Sequence, residues 1–69
     1  MKKHSVVLNG HATSVSIEDP FWRHLKRIAA TRKISVQKMI AEVDDDRQMN
    51  GGPENLSSAL RLLVLTDLE

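Results

Sequence analysis

Three histidines (His4, His11 and His24) lie among nine carboxylates and several serines, a mix that raises the question of hydrolytic or metal chemistry. Such chemistry needs a nucleophile held against a base, or ligands at a fixed helical or loop spacing. No Gly-x-Ser-x-Gly elbow, His-x-x-x-His pair or glycine-rich phosphate loop accompanies these histidines. A chain of 69 residues also has little room for a closed pocket. The sequence therefore predicts no enzyme, no catalytic residue, no cofactor and no metal ligand. His11 reads as a strand-edge residue that hydrogen-bonds locally. Asp44-Asp45-Asp46 lack the alternating oxygen ligands and interior glycine of a calcium loop, and read as a solvated charge run.

Ionic binding is the chemistry that the residue types favour. Residues 1–38 carry eight Lys or Arg against Glu18 and Asp19, a net +6, while residues 39–69 carry Arg47 and Arg61 against seven acids, a net −5. A basic half on so small a protein points to a polyanion partner. A solvated helix surface is the competing explanation of the same charges.

The elements that must position these charges follow from periodicity. Over residues 11–17, Thr13, Val15 and Ile17 share one parity and Ala12, Ser14 and Ser16 the other, the pattern of a strand buried on one side. Upstream, residues 3–8 end in Asn9-Gly10, a strong hairpin signal. A two-residue turn there sets Leu8 opposite His11, Val6 opposite Thr13 and His4 opposite Val15. The alternative is that residues 1–10 form a mobile arm carrying Lys2 and Lys3, and the sequence leaves both forms open. Asp19-Pro20 reads as an N-cap and first-turn proline for a helix over 20–31, with Phe21, Leu25, Ile28 and Ala29 on its apolar stripe and Trp22 at the edge. Ser35 caps a second helix over about 36–46, with Val36, Met39, Ile40 and Val43 inward and the three aspartates fraying its end. Residues 47–54 read as a loop, and Asn55 caps a third helix over about 56–68.

That third helix is apolar on two sides, with Leu56, Leu60, Leu63 and Val64 on one stripe and Ala59, Leu62 and Leu65 on another. Chains this short bury only about 60% of their unfolded surface and usually need disulfides, a metal or a second subunit. With no cysteine, disulfides are excluded and a reducing compartment is expected. No apolar run reaches the roughly 20 residues of a membrane span and no signal-peptide pattern is present, so a cytoplasmic homodimer without membrane contact is expected.

A one-sided strand, an Asp-Pro helix start and a Ser-capped second helix together resemble the ribbon-helix-helix family of homodimeric DNA-binding proteins. The pieces are Val15-x-Ile17, Phe21-x3-Leu25-x2-Ile28-Ala29 and Ile34-Ser35-x3-Met39-Ile40. The chain looks closest to a subgroup of short bacterial members, matched by Gly10, His11, Thr13, Ser14, Glu18, Phe21, Trp22 and Asn55 to Arg61. The resemblance implies a mainly α fold: a strand and two helices over residues 11–46, plus a third helix over 55–69 at the dimer interface. It also implies an intertwined homodimer whose strands pair antiparallel across a two-fold axis. On this basis Val15, Ile17, Trp22, Leu25, Ile28, Ile40, Leu60, Leu63 and Val64 form the dimer core, and Ala12, Ser14 and Ser16 face the bases. Lys2, Lys3, Arg32, Lys33, Ser35, Val36 and Lys38 bind phosphates, partly through the N-terminus of the second helix.

The implied partner is double-stranded DNA and the implied role a transcriptional regulator that inserts a two-stranded ribbon in the major groove. The alternative is a dimeric, antitoxin-like module that grips a protein partner through its C-terminal helix. Two departures from the family pattern stand out. Arg32-Lys33 replaces the usual interhelical glycine, and the Ala-Ser-Ser face lacks the forked side chains that discriminate bases well. A hairpin at Asn9-Gly10 would also widen the dimer ribbon to four strands, about 14 Å across from spacings of about 4.8 Å.

Overall fold

At Asn9-Gly10 the backbone takes φ of 52° and 82°, both left-handed, as a type I′ turn requires. In the computed structural model, which describes residues 2–52 and 55–69, this turn joins strand β1 (Lys2–Leu8) to strand β2 (His11–Ile17). Of the two forms open for the N-terminus, this is the strand. The pairing is antiparallel and runs from Leu8↔His11 through Val6↔Thr13 and His4↔Val15 to Lys2↔Ile17. Period-two alternation then turns Val6, Leu8, Val15 and Ile17 inward, where each is buried. Asn9 Nδ2 also donates to Asp45 Oδ1 at 3.1 Å, which ties the turn to the second helix.

Helix α1 (Asp19–Thr31) starts one residue earlier than Asp19 as N-cap would have it. Glu18 is the cap residue, in extended conformation, and its side chain makes no capping bond. Instead its carboxylate accepts from Arg61 Nε at 2.9 Å and Nη2 at 3.2 Å. The cap residue is thus fixed by the third helix, and Asp19 moves into the first turn, where its charge suits the helix dipole. At the far end, Lys33 N–H donates to the Ala30 carbonyl and Ile34 N–H to that of Ala29, the bonds of a Schellman motif. Lys33 sits there at φ 60°, a left-handed conformation that a glycine would take at no steric cost.

Helix α2 (Val36–Asn50) outruns its expected end and occupies part of the expected 47–54 loop. Asp44, expected to fray, is instead mid-helix and buried. It accepts from Arg47 Nε at 2.9 Å and Gln48 Nε2 at 3.0 Å, while Asn50 Nδ2 donates to Asp46 at 2.7 Å. These i,i+3 and i,i+4 bonds carry the helix on to Gly51, whose left-handed φ of 66° closes it. Pro53 and Glu54 of the expected loop, like Met1 of the expected arm, lie outside the described residues. Helix α3 (Leu56–Asp67) follows, with the Asn55 side chain accepting from Ser58 N–H at 2.8 Å.

The helices close a core in a single chain. Val15, Ile17, Leu25, Ile28, Met39, Ile40, Leu60 and Val64 are each no more than 4% exposed, with Trp22 and Leu63 partly buried against them. Met39 apart, these are positions assigned to a core shared between two subunits, and they are already buried within one chain. The physical reason lies in β1 and α3. Strand β1 supplies the second strand, and α3 supplies the third wall that a strand and two helices would lack.

Candidate nucleic-acid interface

The hairpin has a second face that no helix covers. Odd residues of β1 and even residues of β2 point outward, so the register pairs Lys3 with Ser16, Ser5 with Ser14 and Val7 with Ala12. All are exposed except Ser16, which is half-buried. From the turn to the open end, this face runs from an apolar pair through a hydroxyl pair to a cation beside a hydroxyl. The hydroxyls can donate or accept, and Lys3 adds a point charge.

The edges of the sheet are treated differently. At the β1 edge, Val7 N–H donates to Gln37 Oε1 at 3.2 Å, so the first turn of α2 flanks that strand. At the β2 edge, Ser57 Oγ donates to the Ser16 carbonyl at 2.8 Å, so the first turn of α3 lies at its end. The outward backbone groups of Ala12 and Ser14 make no hydrogen bond among the described residues. An open edge of this kind is a template for pairing with another strand.

The N-terminus of α2 stands near the β1 edge of the hairpin. Ser35 Oγ accepts from Lys38 N–H at 3.0 Å, and Met39 N–H bonds the Ser35 carbonyl at 3.1 Å. The N–H groups of Val36 and Gln37 then make no hydrogen bond among the described residues, as is usual for donors of a first turn. Because Gln37 touches the β1 edge, these donors stand beside the sheet. Lys33 and Lys38 are exposed near them in sequence.

Other expected phosphate residues fall elsewhere. Lys2 has the inward parity, opposite Ile17, and lies beside Glu18, Asp19 and Pro20 at the start of α1, while its neighbour Lys3 shares the outer face. Arg32 lines the cleft between α2 and α3 with Met39, Val43 and Leu63, and borders Asp67 and Leu68 at the end of α3. It is not brought to the sheet. His11 is exposed beside the turn and makes no side-chain bond among the described residues, against the expected local one. His4 stacks on Trp22 with ring centroids 3.8 Å apart, and its Nε2 is buried without a partner. The Arg61 guanidinium, 6.0 Å from the Phe21 ring, holds the Glu18 carboxyl below its ordinary value, chiefly through the hydrogen bonds it donates.

Ser5, Val7 and Gln37 are absent from the residues expected to form the interface. The first two were within reach: the Asn9-Gly10 turn fixes the parity of β1, and parity sends them outward. Gln37 had no signal, because only tertiary packing brings α2 to the β1 edge. No group of three or more His, Cys, Asp or Glu able to hold a metal occurs among the described residues. No helix among them is long and apolar enough to cross a membrane.

A family model described as "Ribbon-helix-helix domain" matches residues 1–68 of the chain. Comparisons with curated proteins and with solved structures gave no match.

Proposed function

Since the chain belongs to the ribbon-helix-helix domain family, we propose that it is a homodimeric DNA-binding protein that regulates transcription. Domains of this family generally bind DNA as dimers. The observation that carries the reading is the β2 strand: paired on one edge, open on the other at Ala12 and Ser14, with an outward row of Ala12, Ser14 and the half-buried Ser16. Two copies joined antiparallel along β2, with Ser14 near the two-fold axis, give a continuous sheet of four strands. The third helix, which is bonded to the same edge through Ser57, adds Leu62 and Leu65 to the joint; each is 52% exposed in one chain.

The width of this sheet sets how it meets DNA. At about 14 Å it exceeds the roughly 12 Å of the major groove, so it lies across the groove mouth rather than sinking in as two strands would. The central Ser14 and Ser16 face base edges, which single hydroxyls discriminate weakly. Lys3 on each outer strand then stands over a phosphate ridge, and the α2 N-terminus, with Lys33 and Lys38, receives the same backbone. Substituting Lys3→Glu in both copies removes about two phosphate contacts and lowers the salt slope of duplex binding by about 2. Fluorescence anisotropy across a salt series measures it, and an unchanged slope takes Lys3 out of the interface.

The exposed leucines of α3 favour a second reading, a dimeric, antitoxin-like module that holds a protein through this helix. Leu62→Lys with Leu65→Lys separates the two. Loss of the dimer supports the joint described above, whereas a dimer that stays intact and keeps its DNA affinity leaves the leucines for a partner.

A further inference from the structure

The outer arc of α1 is the largest cationic surface that the proposed interface leaves unused. Arg23, Lys26 and Arg27 are exposed on it, with Ala30 and Thr31 beside them; α1 itself carries no carboxylate after Asp19, and Asp67 of α3 borders the arc at its Arg27–Thr31 end. None of these cations takes part in an ion pair among the described residues, where the pairs are Arg47–Asp44 and Arg61–Glu18. Arg23 and Arg27 are one helical step of four residues, about 6 Å, apart along the axis. Together with His24 and Pro20 they line a shallow depression, and Arg27 Nη2 meets His24 Nδ1 at 2.8 Å, which orients the guanidinium. Helix α1 buries Leu25, Ile28 and Ala29 and packs mainly on α2 and α3. Its outer arc lies on the side of α1 opposite these buried residues.

We propose that this arc is a second, sequence-independent phosphate-binding surface, and that the dimer uses it to hold a second DNA duplex and so bridge two DNA segments. A guanidinium row suits the regular phosphates of a duplex, and its binding should be steeply salt-dependent. The arc belongs to α1, and the proposed duplex-binding face to the outer side of the hairpin, so the two cationic surfaces are built on different elements. The proposal assigns the two surfaces to different duplexes. The proposal rests on the DNA-binding role proposed above, and its test separates the two.

Duplex fixed to beads is incubated with the full chain and a second, labelled duplex, and captured label is counted; anisotropy with a single short duplex is run in parallel. Wild-type protein should capture the label. Arg23→Glu with Arg27→Glu should cut capture at least tenfold and change single-duplex affinity less than twofold, with an unchanged circular dichroism melt. Lys3→Glu should weaken single-duplex binding instead. Single-duplex binding without capture by the wild type overturns the bridging surface and leaves the DNA-binding role standing. Capture that survives the double reversal also overturns it, and absence of any duplex binding overturns both. Sedimentation with phosphatidylglycerol vesicles completes the test. Vesicle binding that depends on Arg23 and Arg27, without capture of a second duplex, assigns the arc to an anionic membrane and overturns the proposal.

Discussion

The two faces of one hairpin differ in every physical respect. Turned toward the helices, it presents Val6, Leu8, Val15 and Ile17, of which Ile17 is fully buried. Turned to solvent, it presents Lys3, Ser5, Val7, Ala12, Ser14 and Ser16, with Val7 still 48% exposed. The same fourteen strand residues thus divide stability from contact: the inner face makes the fold, and the outer face is free to change without undoing it. This outer face is the one proposed above to meet DNA.

Ile17→Ala is the strongest blow to that division. It should destabilise the protein by about 2–5 kcal/mol, because a cavity opens where no neighbour can collapse freely. Ser14→Ala on the other face should stay within about 0.5 kcal/mol of wild type. Urea unfolding compares them, and equal losses would show that the outer face is structural after all. Next in size, Ser14→Pro spares the bonds to β1, because the Ser14 backbone faces the open edge, but it blocks pairing along that edge. A folded monomer in sedimentation is the expected result.

A smaller effect belongs to the interhelical turn. Lys33→Gly relieves a left-handed residue and should raise stability by roughly 0.5–1 kcal/mol, while removing one charge from the rim of the interface. Stability and duplex affinity should then move in opposite directions; a loss of stability would mean that the Lys33 side chain packs usefully. The smallest effect is that of Arg61 on Glu18. Its lowered carboxyl means that the unfolded chain binds this proton at higher pH than the folded one. The contribution is present at neutral pH and is lost as pH falls through the lowered value. Glu18→Gln should therefore flatten the acid limb of the stability curve slightly, since the Glu18 side chain is 44% exposed and solvent screens the pair.

Much of this comparison is legible in the sequence. Asn9-Gly10 sets the register, and alternation then sorts both strands into an inner and an outer set, including Ser5 and Val7. The caps Ser35 and Asn55 and the apolar stripes of the helices are equally local signals. What escaped depends on residues far apart in the chain. Glu18 replaces Asp19 as cap residue because Arg61 holds it, and α2 runs on to Asn50 because Asp44 has Arg47 and Gln48 to bond. Arg32 falls beside α3, not the sheet, because the Schellman turn aims it there. The self-sufficient core escaped for a related reason. Length argues for a second copy, and the hairpin and third helix already bury the core positions within one chain.

The absence of cysteine makes one measurement especially direct. Facing residues across an antiparallel pair have Cβ atoms about 4.5–5.5 Å apart, close enough for small adjustments to admit a disulfide. Ser14→Cys, mildly oxidised at micromolar concentration, should cross-link two chains through the β2 edge, whereas Ser5→Cys on the outer strand should not. The cross-linked Ser14→Cys dimer should bind duplex DNA with the wild-type salt dependence. A Ser14→Cys chain that binds DNA yet never cross-links, or a cross-linked dimer that no longer binds, would contradict a DNA-binding face built by joining two copies along β2.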